Sequence, residues 1–352
     1  MISNSAILEI YTNRIIFNFN FFKKINNNII TAATIKANAY GLGDIEIFKI
    51  LYKIGCRDFF VATTIEGMRL RKRFKKGNIY ILNGTEKNNS KIFHINKLIP
   101  IINDFTEYKL MKKSSFNYGL HVDTGINRLG CDLNNIDKKI FADKNLKILI
   151  SHLASSDKHN NPYNHYQKNR FKKLKKISNK NNIIFSLSNS HGSLISKDFL
   201  FNMIRPGIGI YGGHNNNAKL SKKLKPVVKL KAKILQIKQI SKNEFIGYNQ
   251  TYKTSNHIWV AIIGIGYADG ISRLLSNKGF IYFKKKKYKI IGRVSMDTIT
   301  IDITRNYSFF KVGKYVEIIN FEAGIDEIAN KCKTISNEVI TSISKRVRRI
   351  YV

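Results

Sequence analysis

Ile29-Ile-Thr-Ala-Ala-Thr-Ile35 is an apolar run that stops abruptly at Lys36. Its length and its polar borders mark it as a strand. Seven more such runs follow at intervals: Phe59–Ala62, Ile79–Leu82, Ile99–Ile102, Gly119–Val122, Leu146–Ile150, Ile183–Leu187 and Phe201–Ile204. Amphipathic stretches lie between many of them. Ile47, Leu51 and Ile54 can share one helix face, as can Phe171, Leu174 and Ile177. Eight strands alternating with helices over about 200 residues predict an α/β architecture, a TIM-type (β/α)8 barrel, with a doubly wound sheet as the alternative.

Beyond Pro226 the pattern changes. Val228, Leu230, Ala232 and Ile234 alternate with Lys229, Lys231 and Lys233, the period-two signature of a strand with one wet face. Further strands are expected at Trp259–Ile265, Tyr288–Ile291, Thr298–Ile303 and Tyr315–Ile319. Helices are expected near Asp326–Lys331 and Asn337–Val347. The chain thus divides into a barrel, residues 1–225, and a mostly-β domain, residues 226–352. The first few residues can pair with the second domain.

The formal net charge is +38. Such a surface attracts phosphates, which suggests nucleic acid or an anionic membrane. The lysines are spread along the whole chain, however, among heavily used Ile and Asn, as compositional drift would place them. No nucleic-acid-binding motif accompanies them, so neither a nucleic-acid nor a membrane partner is expected. Cys56, Cys131 and Cys332 are few, odd in number and far apart. They read as buried free thiols of a reducing compartment, with no spacing for zinc, so no metal is expected. Neither a signal peptide nor an apolar run long enough to span a bilayer is visible, so a cytoplasmic protein is expected.

Barrel enzymes place their chemistry at the carboxyl ends of the strands. Those ends carry Lys36, Asp123 with Arg128 after it, His152, Asn189 with Ser190, and Arg205 followed by Pro206, Gly207 and Ile208. Taken singly, Lys36 would be a solvated lysine, His152 a core histidine and Arg205 an ion-pair residue. Jointly they describe one cationic mouth. Ser190, Gly207 and Ile208 follow strands seven and eight, where barrels often bind phosphate, and a glycine lets backbone N–H groups approach closely. A lone lysine facing such a site suits a Schiff base.

Several segments, in order along nearly the whole chain, resemble the alanine racemase family. They are Thr34-Ile-Lys-Ala-Asn-Ala-Tyr-Gly41, His121-Val-Asp-Thr-Gly-Ile-Asn-Arg-Leu-Gly130, Ser151-His-Leu-Ala154, Asn189-Ser190, Arg205-Pro-Gly-Ile-Gly-Ile-Tyr-Gly212, Gly266-Tyr-Ala-Asp-Gly270 and Gly292-Arg-Val-Ser-Met-Asp297. The resemblance implies a pyridoxal 5'-phosphate (PLP) enzyme that interconverts L- and D-alanine and supplies D-alanine for peptidoglycan. It implies that Lys36 carries PLP as a Schiff base and then acts as one catalytic base, with Tyr267 as the other. Tyr40, Asn189, Ser190, Gly207 and Ile208 would bind the cofactor, with Arg205 at the pyridine nitrogen and His152 against the ring. Arg128 would contact the PLP phenolic oxygen or the substrate carboxylate, and Met296 and Asp297 would line the substrate side. Tyr267, Met296 and Asp297 would reach the site from a partner subunit of a homodimer.

A base on each face of one carbon suits racemisation. A free tyrosine loses its proton near pH 10, so Tyr267 needs neighbours that stabilise its anion. Three positions depart from the family pattern. His121 stands where many relatives have a lysine, modified as a carbamate in some, which leaves Arg128 to be positioned otherwise, for example by an anion; Leu42 stands where a histidine is usual, and Asn337 where a tyrosine usually helps bind phosphate and narrows the entrance. A wider entrance would admit serine, so an alanine/serine racemase is one alternative and a non-catalytic PLP-binding protein another. The segment after Pro226, with Tyr267, argues against the latter.

Overall fold

The structure is a computed structural model and describes residues 5–85, 90–111, 116–136, 138–178 and 182–352. It divides into two compact units. One comprises Ile16–Ile210 and Asn216–Leu224. The other takes the chain up to Ile15, Tyr211–Asn215 and Lys225–Val352.

The first unit is a parallel barrel. Its strands, in both chain and spatial order, are Ile30–Thr31 continued as Ala33–Thr34, then Asp58–Val61, Asn78–Ile81, Ile99–Ile102, Tyr118–Asp123, Leu146–Ile150, Ile184–Ser186 and Met203–Ile204. The first strand changes partner midway. Ile30 and Thr31 pair with Met203 and Ile204, while Ala33 and Thr34 pair with Phe59 and Phe60, which closes the ring. All eight expected barrel strands are present. The last is shorter than expected, because Phe201 sits in a turn with φ of 50° and pairing begins at Met203.

Strand periodicity settles which side chains enter the lumen. Ala32, Phe60, Tyr80, Ile101, Ile148, Ile150 and Met203 pack together as its filling. Leu120 and Val122 instead pack outward with Phe171 and Leu174. Gly119 therefore faces the lumen, where a Cβ would lie 2.5 Å from Ile101 Cδ1 and 2.6 Å from Ile148 Cγ2. Two residues further on, toward the carboxyl ends, period two brings Thr34, Asn103, His121, His152 and Arg205 to the layer above this filling.

On helix Pro162–Ile177 the inward face runs through Asn164, Gln167, Phe171 and Leu174, and Ile177 is exposed rather than sharing it. Asn164 Nδ2 donates to Ser155 O at 3.1 Å and Lys158 O at 2.9 Å, though its Oδ1 has no partner among the described residues, and Gln167 is bonded at both ends of its amide. Gln167 donates to His152 O at 3.0 Å and accepts from Ala154 N at 2.8 Å.

In the second unit, Val228–Ile240 is long enough to open and close an antiparallel ring. It pairs with Ile258–Ile263 along one stretch and Tyr315–Ile319 along another, with Ile299–Asp302, Lys286–Ile291 and Phe280–Phe283 between. Ala6–Ile10 joins this sheet, antiparallel to Val228–Ile240 and parallel to Arg348–Tyr351. The final helix covers Ser336–Thr341, not Asn337–Val347. The Arg349 guanidinium donates to the carbonyls of Ile343, Ser344 and Val347, so these groups are satisfied without further helix and the chain is released to form a strand. Cys56, Cys131 and Cys332 are buried and free. Among the described residues, no helix is long and apolar enough to cross a membrane.

Candidate active site

Lys36 follows the first barrel strand directly, and after it the backbone winds left-handed. Ala37, Asn38, Ala39 and Tyr40 have φ of 53°, 56°, 51° and 55°, and Gly41 follows at 83°. Such a turn persists only where its surroundings hold it. Glu66 provides much of that hold. One carboxylate oxygen accepts from Ala37 N at 2.6 Å; the other accepts from Ala62 N at 2.8 Å and Thr63 N at 3.2 Å. Glu66 also completes a capping box with Thr63 at the start of helix Thr64–Arg73. Asn38 Oδ1 accepts from Asp44 N at 3.1 Å, which anchors the far side of the turn.

Burial holds the Lys36 amine below the usual lysine range. The charge of Arg128 and, more weakly, that of Arg205 push the same way; Glu66 pulls against them, less than Arg128 pushes but more than Arg205 does. An uncharged amine is the nucleophilic form. Around it stands a ring of groups that cannot all be charged. Arg205, 7% exposed, donates to Ser186 O and Oγ at 3.1 Å and to Ser151 O at 2.6 Å. Burial lowers its pKa to about 10, so it remains a cation at neutral pH. Burial and the nearby cations, Arg205 first, hold His152 well below the ordinary histidine value, and His121 at about 4. Both rings are neutral.

Arg128 rides on a loop that returns to the strand it left. Asp123 Oδ1 accepts from Gly125 N at 2.7 Å and Ile126 N at 2.9 Å, and Cys131–Asp132 pairs beside Val122–Asp123. Arg128 is exposed at the tip of this loop.

A second cluster surrounds Ser190. Its Oγ accepts from Gly207 N at 3.0 Å and Gly209 N at 3.1 Å, leaving its hydrogen to donate elsewhere. A Cβ on Gly207 would lie 2.3 Å from Tyr40 Oη, so the phenol lies against bare backbone. Two hydroxyls beside a glycine turn suit a phosphate monoester, and a nearby lysine whose burial favours the uncharged amine suits an aldehyde. PLP fits this donor set. Asn189 uses its side-chain carbonyl on the adjoining turn, accepting from Ser156 Oγ, His191 N and Gly192 N.

The second unit gathers Tyr267, Met296 and Asp297. Tyr267 N donates to Ser295 O and Ala268 N to Met296 O, both at 3.0 Å. Gly266 permits this approach, since a Cβ there would lie 2.3 Å from both carbonyls. Tyr267, Met296 and Asp297 are exposed, and Arg346 bonds Asp297 at 2.7 Å. A cavity of about 230 Å³ in the same unit is lined by Leu230, Ile271, Ile319, Ile328, Cys332 and Val339, and by none of the candidate site residues. Asn337 Oδ1 accepts from Asn215 Nδ2 at 3.1 Å.

Sequence reasoning missed Glu66, Gln167 and Asn103. The Thr63-x-x-Glu66 spacing is a visible capping signature; nothing local marks the other two.

Two family models match the chain: the alanine racemase N-terminal domain over residues 10–215 and the alanine racemase C-terminal domain over residues 227–351. Curated alanine racemases are similar throughout. That of Rickettsia bellii is 38% identical over 92% of this chain and 82% of its own length; that of Rickettsia akari is 36% identical over 98% of each. Among solved structures, the alanine racemase from Bartonella henselae with covalently bound pyridoxal phosphate superposes with a TM-score of 0.92 at 32% identity, covering 99% of this chain and all of the other. The alanine racemase from E. faecalis reaches 0.92 at 27% identity, covering 99% of this chain and 98% of that one. With both family models matched across the barrel and the β-unit, and the lysine and phosphate cradle seated where the barrel's carboxyl ends converge, this chain belongs to the alanine racemase family.

Proposed function

We propose that this protein uses PLP to interconvert L-alanine and D-alanine, with Lys36 and Tyr267 as the two bases. The observation that carries this reading is the placement of Lys36, whose burial favours the uncharged amine, at the barrel mouth beside the Tyr40–Ser190–Gly207 cradle. Bound PLP supplies an electron sink that acidifies the Cα–H of an amino acid.

Lys36 Nζ would hold the cofactor, and its amine would take or return the Cα proton of the substrate on one face. Tyr267 Oη serves the other face. Tyr40 and Ser190 would donate hydroxyl hydrogen bonds to the cofactor's phosphate, with the backbone at Gly207 and Ile208 completing the cradle. Asn189 stiffens that end of the pocket through its turn. Arg205 retains its own proton, so toward the cofactor's pyridine nitrogen it would donate a hydrogen bond without transferring the hydrogen. Neutral His152 would lie against the ring. Arg128 receives the substrate carboxylate, and Met296 and Asp297 line the substrate side.

In this reading the enzyme is a cytoplasmic homodimer in which Tyr267, Met296 and Asp297 serve the partner's site. The D-alanine supplies peptidoglycan synthesis. The barrel domain is taken as residues 1–225 and the β-domain as residues 226–352, except that the chain up to Ile15 and Tyr211–Asn215 group with the β-unit. The spread of charge argues for no nucleic-acid or membrane partner.

The test is to purify the protein with PLP, record its near-visible absorbance before and after borohydride, and follow the chirality of added L-alanine. A reducible band, lost in Lys36→Ala, together with D-alanine formation is expected. A band without racemisation would overturn the catalytic reading in favour of a PLP-binding protein. Serine turnover comparable to alanine would widen the substrate class.

A further inference from the structure

Helix Pro162–Ile177 starts sharply, with Asn161 Oδ1 accepting from Tyr163 N at 2.9 Å and Pro162 in the first turn. That start sets the helix register. Residues at three- and four-residue spacing then face the barrel, and Gln167 is fully buried among them. Two contacts fasten this helix to the end of the fifth barrel strand. Tyr163 Oη donates to Gly125 O at 2.8 Å, and Arg170 Nη1 donates to Thr124 O at 3.3 Å. Gln167 thus stands on a fixed platform.

Its amide uses the oxygen and both hydrogens. Oε1 accepts from Ala154 N at 2.8 Å, while Nε2 donates to His152 O at 3.0 Å and to Thr124 Oγ1 at 3.3 Å. One side chain therefore clamps the backbone on either side of Leu153 and reaches across to the neighbouring strand. Thr124 Oγ1 lies 2.8 Å from Ser151 Oγ, and both residues are fully buried. Ser151 O in turn accepts from Arg205 Nη2 at 2.6 Å. A run of hydrogen bonds thus leads from the helix through Thr124 and Ser151 to the Arg205 guanidinium. A leucine at position 167 would fill similar space without the cost of burying an amide. What the amide adds is a fixed geometry, which a fully satisfied buried network provides.

We propose that Gln167 is a positioning residue for the reaction: it fixes the Ser151–Ala154 segment, and with it the His152 ring and the carbonyl on which Arg205 rests. This rests on the racemase reading above, in which His152 and Arg205 meet the cofactor ring. Gln167 acts through those two residues. The phosphate end is held separately, by Ser190 Oγ on Gly207 N and Gly209 N. The two ends of the cofactor site can therefore be disturbed one at a time.

The test uses the PLP-loaded enzyme and three variants. Gln167→Met keeps the length of the side chain and removes all three bonds. It should lower kcat for L-alanine by about tenfold or more, the scale on which a slightly misplaced group slows a reaction, with a much smaller change in KM. Its PLP affinity should stay within about threefold of wild type, because the phosphate cradle is untouched. Thr124→Val cuts only the branch to Ser151 and should lower kcat less, and Thr124→Ser, which keeps the hydroxyl, should restore it. Two readouts are independent of turnover. The near-visible band of bound PLP should move in wavelength or pH dependence in Gln167→Met. In the cofactor-free protein, hydrogen exchange at the Ala154 amide should be slow in wild type and Thr124→Val, and fast in Gln167→Met.

A loss of stability in Gln167→Met with kcat and the PLP band unchanged would overturn the proposal and leave Gln167 as a brace of the fold. So would a loss of PLP affinity as large as the loss in kcat, or equal damage from Thr124→Ser and Thr124→Val. If Gln167→Met fails to fold, the Thr124 pair decides between the same outcomes. If the wild-type protein fails to racemise alanine, the functional reading fails instead, and the PLP band and Ala154 exchange still decide whether Gln167 sets this end of the site.

Discussion

Gly207→Ala isolates the contact on which the phosphate cradle depends. The new methyl carbon would lie 2.3 Å from Tyr40 Oη, 3.1 Å from Tyr40 Cζ and 3.4 Å from Thr34 Cβ. The first separation is well inside van der Waals contact, so something must move. Thr34 is buried in the first barrel strand, and its Oγ1 donates to Arg205 O. Tyr40 is 8% exposed and belongs to the left-handed turn that begins beside Lys36. Crowding of this kind costs about 1–3 kcal/mol of stability. If the phenol swings aside, the phosphate loses one charge-assisted hydrogen bond, about 1.5–3 kcal/mol, or roughly 10- to 150-fold in PLP affinity.

Urea denaturation of the cofactor-free protein reads the first effect, and a PLP titration reads the second. Two glycines serve as controls. Gly324 has φ of −79°, and a Cβ there would have nothing within 4 Å, so Gly324→Ala adds neither strain nor crowding and should cost only the N-cap preference for glycine, about 1 kcal/mol or less. Gly313 is equally open but has φ of 84°, so Gly313→Ala measures backbone strain without crowding. PLP affinity in Gly207→Ala equal to that of wild type, or a stability loss no larger than that of Gly324→Ala, would refute the assignment of Tyr40 and Gly207 to one cradle.

Arg71 is buried and donates to the carbonyls of Phe74, Gly77, Asn96 and Lys97. Arg71→Met strands these acceptors and should cost about 2–4 kcal/mol, visible as a lower urea midpoint. For pH dependence, the pKa of folded His121 lies near 4, below the ordinary 6.5. On acidification the unfolded chain takes up this proton first, so stability is present above pH 6.5 and lost as pH falls toward 4. The loss from this group is about 2 kcal/mol by pH 5, and His121→Gln should flatten that part of the profile. Glu66 raises the Lys36 pKa. In Glu66→Gln the acid limb of PLP uptake by cofactor-free protein should therefore move to lower pH, and an unmoved limb would show that Glu66 acts only as a brace. Glu66→Ala should in addition lose about 0.5–2 kcal/mol from the helix cap.

The barrel strands are legible because each buries nearly all its residues and so reads as an unbroken apolar run, bounded by polar chemistry. The Ala6–Ile10 strand is harder to see. It alternates Leu8 and Ile10 with Glu9 and gains its identity from pairing with Val228–Ile240, more than 200 positions away. The last helix reads too long for a related reason. Asn337–Val347 has helical spacing of apolar residues, but its end is set by the Arg349 guanidinium reaching back to three carbonyls, a contact with no local signature. Gln167 and Asn103 escape notice on the same ground. Polar residues reach full burial only when particular backbone groups meet them, and those groups come from other elements.

The turn after Lys36 shows most clearly where local reading stops. Ala37, Asn38, Ala39 and Tyr40 are all left-handed, and none is glycine. Each such residue costs about 1–2 kcal/mol, so the turn as a whole costs several. Local propensity alone would make Lys36-Ala-Asn-Ala-Tyr40 an ordinary helical turn. The structure holds it otherwise with bonds from outside the segment: the Glu66 carboxylate on Ala37 N, and Asp44 N on Asn38 Oδ1. The consequence is geometric. The reversed hand brings Tyr40 Oη against Gly207 while Lys36 remains at the strand end, so amine and phosphate donor come from one short segment. Relaxing this turn to the right-handed form would separate them. The strain is therefore best understood as the means by which five residues serve both ends of one cofactor.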